Sequence, residues 1–242
     1  MKDLAIVIVT HNSADEIEAC LAACRAEGGR AQVRMSLASR LVAGLEALSI
    51  KLDAVTQARL LQYLALIEKW NRVHNLTAVR DVNHMLSHHL MDSLAVLPHL
   101  ERATSLLDVG SGAGLPGIPL AIAEPRLAVT LLDSSQKRVS FLNQCKAELK
   151  LENVNVIHQR VEDYQPGQGF DVVISRAFAD MSAFVALSRR HGKPSGRLLA
   201  MKGRYPDEEI AKLSDADRVT KVVELTIPEL NAHRHLVEIA VS

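Results

Sequence analysis

The stretch Leu106-Leu107-Asp108-Val109-Gly110-Ser111-Gly112-Ala113-Gly114-Leu115-Pro116-Gly117 decides how this chain is read. An apolar run ends in an acid, glycines recur at every second position, and a helix can begin beyond them. Glycine admits positive φ and lets backbone approach a ligand closely. The first turn of the following helix offers unpaired N–H groups. Together they make a strand–turn–helix that wraps a nucleotide-like cofactor. A second acid, Asp133, ends the next apolar run, Val129-Thr130-Leu131-Leu132, at the spacing of a ribose contact.

Two registers compete for these letters. Gly112 to Gly117 fits the dinucleotide pattern G-x-G-x-x-G. The frame that begins at Asp108 resembles the first motif of S-adenosylmethionine (SAM)-dependent methyltransferases. The apolar run stops at Val109, so the turn begins at Gly110 and the dinucleotide frame would start late. An acid at the strand end suits a cationic sulfonium and faces an anionic pyrophosphate poorly. The register therefore favours S-adenosyl-L-methionine, with Asp108, Gly110, Gly112, Gly114 and Asp133 as contacts.

From residue 104 onward short apolar runs alternate with helical patterns. Strands are expected at 104–109, 127–132, 154–158, 170–175 and 196–202, with helices near 117–123, 135–150, 179–190 and 206–213. Runs at 219–227 and 235–241, separated by Pro228 to His233, read as a terminal hairpin. The expected fold is α/β, a Rossmann-like and mainly parallel sheet with an antiparallel end. Ligands in such sheets bind beyond the carboxyl ends of the strands. Asp108, Asp133, Glu162, Arg176 and Lys202 all fall at that edge. Residues 35–103 read as an N-terminal helical region, with Leu37, Leu41, Leu45 and Leu48 on one apolar face. Asp53 or Thr56 is placed to cap the second helix.

Residues 1–34 look separate. Ile6-Val7-Ile8-Val9-Thr10-His11-Asn12-Ser13 resembles the opening of a family-2-type glycosyltransferase, but it covers too little chain for that fold. The D-x-D candidate, Asp215-Ala216-Asp217, has no strand before it. Met35 is a plausible natural start, and 1–34 is expected to be an extension of unknown role. The organisation is thus 1–34, 35–103 and a methyltransferase domain at 104–242.

Composition narrows the class. The 242 residues are 48% hydrophobic with formal net charge zero, which fits a globular protein and excludes a general nucleic-acid coat. No apolar run reaches membrane-spanning length, and no secretory leader is recognisable. Cys20, Cys24 and Cys145 form no even disulfide set, which suits a reducing cytoplasm. A monomer is expected. Local cations remain: Lys137-Arg138, Arg189-Arg190-His191, Lys193, Arg197, Lys202 and Arg204 suggest a basic rim near the ligand edge. His84, His88 and Asp92 recur at i, i+4 spacing, yet the zinc pattern H-E-x-x-H is missing and no metal is expected. Val161-Glu162-Asp163 follows the third strand, where a backbone N–H and a carboxylate can read an adenine edge.

Ser175-Arg176-Ala177-Phe178 ends the fourth strand. Methyltransferases of exocyclic amines often carry an Asn/Asp-Pro-Pro-aromatic box there, and pyrimidine C5 methylation needs a thiolate. This chain has neither, so an acceptor that is already nucleophilic fits. Lys69-Trp70-Asn71, Asn75-Leu76-Thr77 and His89-Leu90-Met91-Asp92-Ser93, with the glycine loop and Met201-Lys202-Gly203, resemble the RsmG (glucose-inhibited division protein B) family of ribosomal RNA methyltransferases. The resemblance runs from about Met35 to Ser242. It implies methylation of guanine N7 in the decoding-region loop of 16S ribosomal RNA. It also implies cofactor contacts at Gly110, Leu115, Val161, Glu162 and Arg176; because guanine N7 has a lone pair and no proton to lose, no catalytic base is expected. Lys137, Arg138, Lys202 and Arg204 are the candidate contacts to small-subunit ribosomal RNA. Another RNA or a small molecule as acceptor, or a noncatalytic RNA-binding module, are the alternatives. Because the register separates the two cofactors, titration calorimetry should show binding of SAM and none of NAD; the reverse result would overturn the assignment.

Overall fold

Side chains alternate across a strand, and that alternation sorts the core. In residues 105–109, Leu106 enters one hydrophobic layer while Leu107 and Val109 enter the other. Asp108 shares the side of Leu106 and is fully buried. The computed structural model describes residues 35–100, 102–176, 178, 180–214 and 217–241. The strand–helix reading of 1–34 and the pair Asp215-Ala216 lie outside the described residues.

The described chain begins with α1 (Leu37–Ala47) and α2 (Ala54–His74). Ser36 caps the first through the Ser39 N–H, and Asp53 caps the second through the Thr56 N–H at 2.7 Å. A third helical stretch opens as α3 (Val82–Met85), widens into a π-helical turn at Leu86–Met91 and closes as α4 (Asp92–Leu94). Then come β1 (Ser105–Val109), α5 (Gly117–Ala123), β2 (Ala128–Asp133), α6 (Gln136–Glu148) and β3 (Val154–His158). The chain continues through β4 (Phe170–Arg176), α7 (Met181–Ser188), β5 (Gly192–Lys202), α8 (Asp207–Ile210), β6 (Val219–Glu224) and β7 (His235–Ala240).

The seven strands form one sheet in the order β3-β2-β1-β4-β5-β7-β6. β1 to β5 pair in parallel, and β7 lies antiparallel between β5 and β6. Strand order reverses between β1 and β4, a topological switch point that opens a crevice at the strand ends. The helical N-terminal region and α5 and α6 share one hydrophobic layer with one face of the sheet, while α7 covers the other face.

Some boundaries differ from the sequence expectation. Beyond Glu224 the apolar run leaves the sheet, and Leu225 and Ile227 drop into the core. The helix expected at 206–213 is one turn, Asp207–Ile210. Asp133, expected just past its strand, is the last residue of β2 and pairs with His158.

The start of α5 is sterically tight. A Cβ on Gly117 would lie 2.3 Å from Leu131 Cδ2 and 2.8 Å from Asp108 Oδ2. Gly117→Ala should therefore lower stability by about 1–3 kcal/mol, read as a fall in thermal midpoint, whereas Gly167→Ala, in open space, should not.

Candidate active site

The glycine loop is fixed from below and from both flanks. The Asp108 carboxylate lies under it and accepts the Gly117 N–H at 3.0 Å. Burial pushes the Asp108 carboxyl up to about 7, against the opposing effects of that bond and of Arg176. Asp133, only 3% exposed, accepts the Gly112 N–H at 2.9 Å and the Ser135 N–H at 2.8 Å. From the helical layer, the buried Tyr63 hydroxyl donates to the Ala113 carbonyl at 2.6 Å. Gly110 and Gly112 take φ of +70° and +59°, which a side chain rarely adopts.

Two hollows open at the strand ends. The first is a groove of about 220 Å³ against Val109, Gly110, Asp133, Arg138, Val161 and Glu162, continued by Gln159, Arg160 and Phe178. A Cβ on Gly110 would meet nothing within 4 Å, so the loop leaves room there for a ligand. Arg190 donates to the Val161 carbonyl at 2.8 Å, and His191 Nε2 lies 3.1 Å from the same oxygen, which pins the turn after β3.

The second is a cavity of about 380 Å³ lined by Thr77, Val79, His88, His89, Asp92, Arg176, Met201, Lys202, Gly203 and Arg234. Asn71 builds its near wall: its amide donates to the Val79 carbonyl and its oxygen accepts the Thr77 N–H. Thr77 Oγ1 then lies 2.9 Å from His89 Nε2. Burial, aided by the Arg176 charge, pushes His89 down to about 4, so its imidazole is neutral near pH 7. Asp92 receives Arg176 at 3.1 Å and Arg234 at 2.9 Å.

The residues expected from sequence thus divide. Gly110, Asp133, Val161 and Glu162 line the groove, together with Arg138, which was expected to meet RNA. Asp108, Gly112, Gly114 and Leu115 form the loop behind it and are not among its lining residues. Arg176 faces the second cavity.

The expected basic rim does not form a single cluster. Lys202 donates to Glu209 at 2.6 Å and to the Phe178 carbonyl, Lys193 pairs with Asp171, Arg197 with Glu238, and Arg189 with Asp217. Lys193 sits at the opposite end of β5 from Lys202. Lys137 donates to the His74 carbonyl at the end of α2. Arg204 is exposed on the segment after β5.

Asp92 stands in sequence within a histidine spacing and within the family stretch His89–Ser93, with no role implied for it, and Arg234 lies in no motif. Long-range pairing brings them together across 142 positions. Among the described residues, no group of three His, Cys, Asp or Glu is arranged to hold a metal ion. No described helix is long and apolar enough to cross a membrane.

The family model described as rRNA small subunit methyltransferase G (GidB) matches residues 56–237. A ribosomal RNA small subunit methyltransferase G from Aromatoleum aromaticum is 52% identical over 204 residues, covering 83% of this chain and 97% of the relative. The one from Nitrosospira multiformis is 51% identical over 210 residues, covering 84% and 97%. Among solved structures, magnesium protoporphyrin IX methyltransferase from Synechocystis PCC 6803 with bound SAM aligns with a TM-score of 0.54 at 19% identity, covering 79% of this chain and 99% of that one. Mitomycin 7-O-methyltransferase aligns at 0.55 and 17% identity, covering 76% and 67%. These two likenesses show the fold.

The Asp108 carboxyl gives a pH test. Its folded value of about 7 lies above the ordinary 3.8, so the folded chain keeps a proton that the unfolded chain releases. That contribution is full below about pH 4 and is lost as pH rises through about 7. In thermal melts, wild type should lose stability relative to Asp108→Asn across that window and run parallel to it above. Parallel curves throughout would show that Asp108 does not hold the proton.

Proposed function

The chain belongs to the GidB family of rRNA small subunit methyltransferase G, and from that premise we propose that it transfers a methyl group from S-adenosyl-L-methionine to N7 of a guanine in the decoding-region loop of 16S ribosomal RNA. The observation that carries the cofactor assignment is the glycine loop locked by Asp133 at the switch point, with open space left at Gly110. Gly110, Asp133, Val161 and Glu162 would hold the adenosine portion along the groove. Asp133 Oδ2 accepts the Gly112 N–H and lies 3.5 Å from Arg138 Nη1, while Oδ1 accepts only the Ser135 N–H and keeps a lone pair for a ribose hydroxyl. Arg176, at the end of β4, lines the second cavity, two residues before Phe178 of the groove wall. Bound in the groove, SAM would supply an electrophilic methyl group on a sulfonium.

Guanine N7 has a lone pair and no proton to lose. The task of the chain is therefore to align the acceptor and exclude water. The titratable groups near the strand ends agree with a mechanism that needs no base. Both Asp92 oxygens are committed to guanidinium groups, and His89 is buried with its basicity lowered. In duplex RNA, N7 lies in a deep, narrow major groove, so the substrate must be a loop or a splayed base. A monomer is proposed with this reading, and a cytoplasmic location follows from the proposed ribosomal substrate.

Labelled methyl should pass from SAM to small-subunit RNA or subunits, and borohydride reduction with aniline cleavage should locate it at guanine N7. Replacing Asp133, Glu162 or His191 singly should weaken cofactor or RNA binding. None should abolish turnover with both affinities intact. A mark on an exocyclic amine, a ribose hydroxyl or pyrimidine C5 would refute the acceptor, and a turnover-dead variant with unchanged affinities would refute the base-free mechanism.

A further inference from the structure

The second cavity carries a charge arrangement that the cofactor groove does not require. Asp92 has a side chain only 3% exposed, yet it is bound by two guanidinium groups from distant parts of the chain. Arg176 comes from the end of β4, and Arg234 from the connection that leads into β7. Two cations around one acid leave a net positive wall. Both arginine side chains remain 24% exposed, so the wall stays accessible.

The donors are only partly used. A guanidinium has five N–H groups. Arg234 spends Nε on Asp92 and Nη1 on the His233 carbonyl, while Arg176 spends Nη1 on Asp92 and the His88 carbonyl. Nη2 of each has no partner among the described residues. The two bonds on Arg234 fix its plane, so its remaining donors have a set direction. Val79 and Met201 add apolar surface to the same cavity. At about 380 Å³ it falls within the ~300–1,000 Å³ usual for small-ligand pockets.

An apolar slot edged by guanidinium donors fits a flat heterocycle with an acceptor edge. Guanine offers O6 and N7 as adjacent acceptors, whereas adenine offers a donor amine in place of O6. A donor on N7 would occupy the reacting lone pair, so the productive contact is at O6. Of the two arginines, Arg234 is the one on the β5–β7 side, away from the glycine loop after β1.

We propose that this cavity is the subsite for the acceptor guanine and that Arg234, aimed by Asp92, recognises its O6. The inference rests on the reading that guanine N7 is the acceptor. Arg234 is then a specificity residue, and Asp92 is the positioning residue behind it. A merely structural role for the Asp92–Arg234 pair would affect all substrates alike.

The test uses the full chain, with Arg234→Gln and the charge-conserving Arg234→Lys as variants. Both should keep the wild-type SAM affinity in calorimetry, and Arg234→Lys, which keeps a cation beside Asp92, should keep the thermal midpoint. With small-subunit RNA as substrate, kcat/KM should fall about tenfold in each. A competing RNA with adenine at the methylated position should bind wild type about tenfold more weakly than the guanine RNA, and the variants equally well. Wild-type kcat/KM in both variants, an unchanged guanine preference in both, or no preference in wild type would each overturn the inference. If wild type binds SAM but places no methyl on guanine N7, the underlying reading fails instead.

Discussion

A carboxyl sealed beneath a loop sets the terms for the cofactor edge. Asp108 lies on the face of β1 that looks into the helical layer, and its oxygen meets the first N–H of α5. Burying a carboxyl favours its neutral form, which explains its raised value. The geometry allows nothing larger than glycine at 117, because Leu131 and Asp108 already fill the space. It also makes Asp108 a support for the loop, one layer below the groove wall. The acid that the sequence sets against a sulfonium charge stands one residue before the end of β1, where it anchors the helix that follows.

The helical region is part of the site as well as of the core. Tyr63 from α2 fixes the loop from one side, and Trp70 packs edge-on against Phe141 of α6. Asn71 shapes the connection that places Thr77 and Val79 in the cavity wall. The third helical stretch widens at Leu86–Met91 and presents His89 inward before Asp92 follows. This layer supplies one wall of the cavity through Thr77, Val79, His88, His89 and Asp92.

Electrostatics explains how a chain of zero formal charge can still receive a polyanion. Most of the cations expected to form a rim are matched by carboxylates, as in Lys202–Glu209 and Lys193–Asp171. Such pairs add little to stability when exposed and leave little net field. The cavity differs, because its single acid is shared by two arginines. At the proposed acceptor site, attraction would then be focused locally, and alignment more than bulk charge would support selection.

The sequence by itself determined the parts that depend on neighbours along the chain. Alternating apolar runs defined the parallel strands, and the glycines at 110, 112 and 114 marked a turn that needs positive φ, as each of them has. Asp133 and the Val161-Glu162 turn were legible because strand ends collect at one edge of such a sheet. The tertiary structure decided what depends on residues far apart. It joined Asp92 to Arg176 across 84 positions and to Arg234 across 142. No local period encodes those meetings: they arise because the order β4-β5-β7 brings the start of β7 beside the end of β5, where the helical layer closes over them.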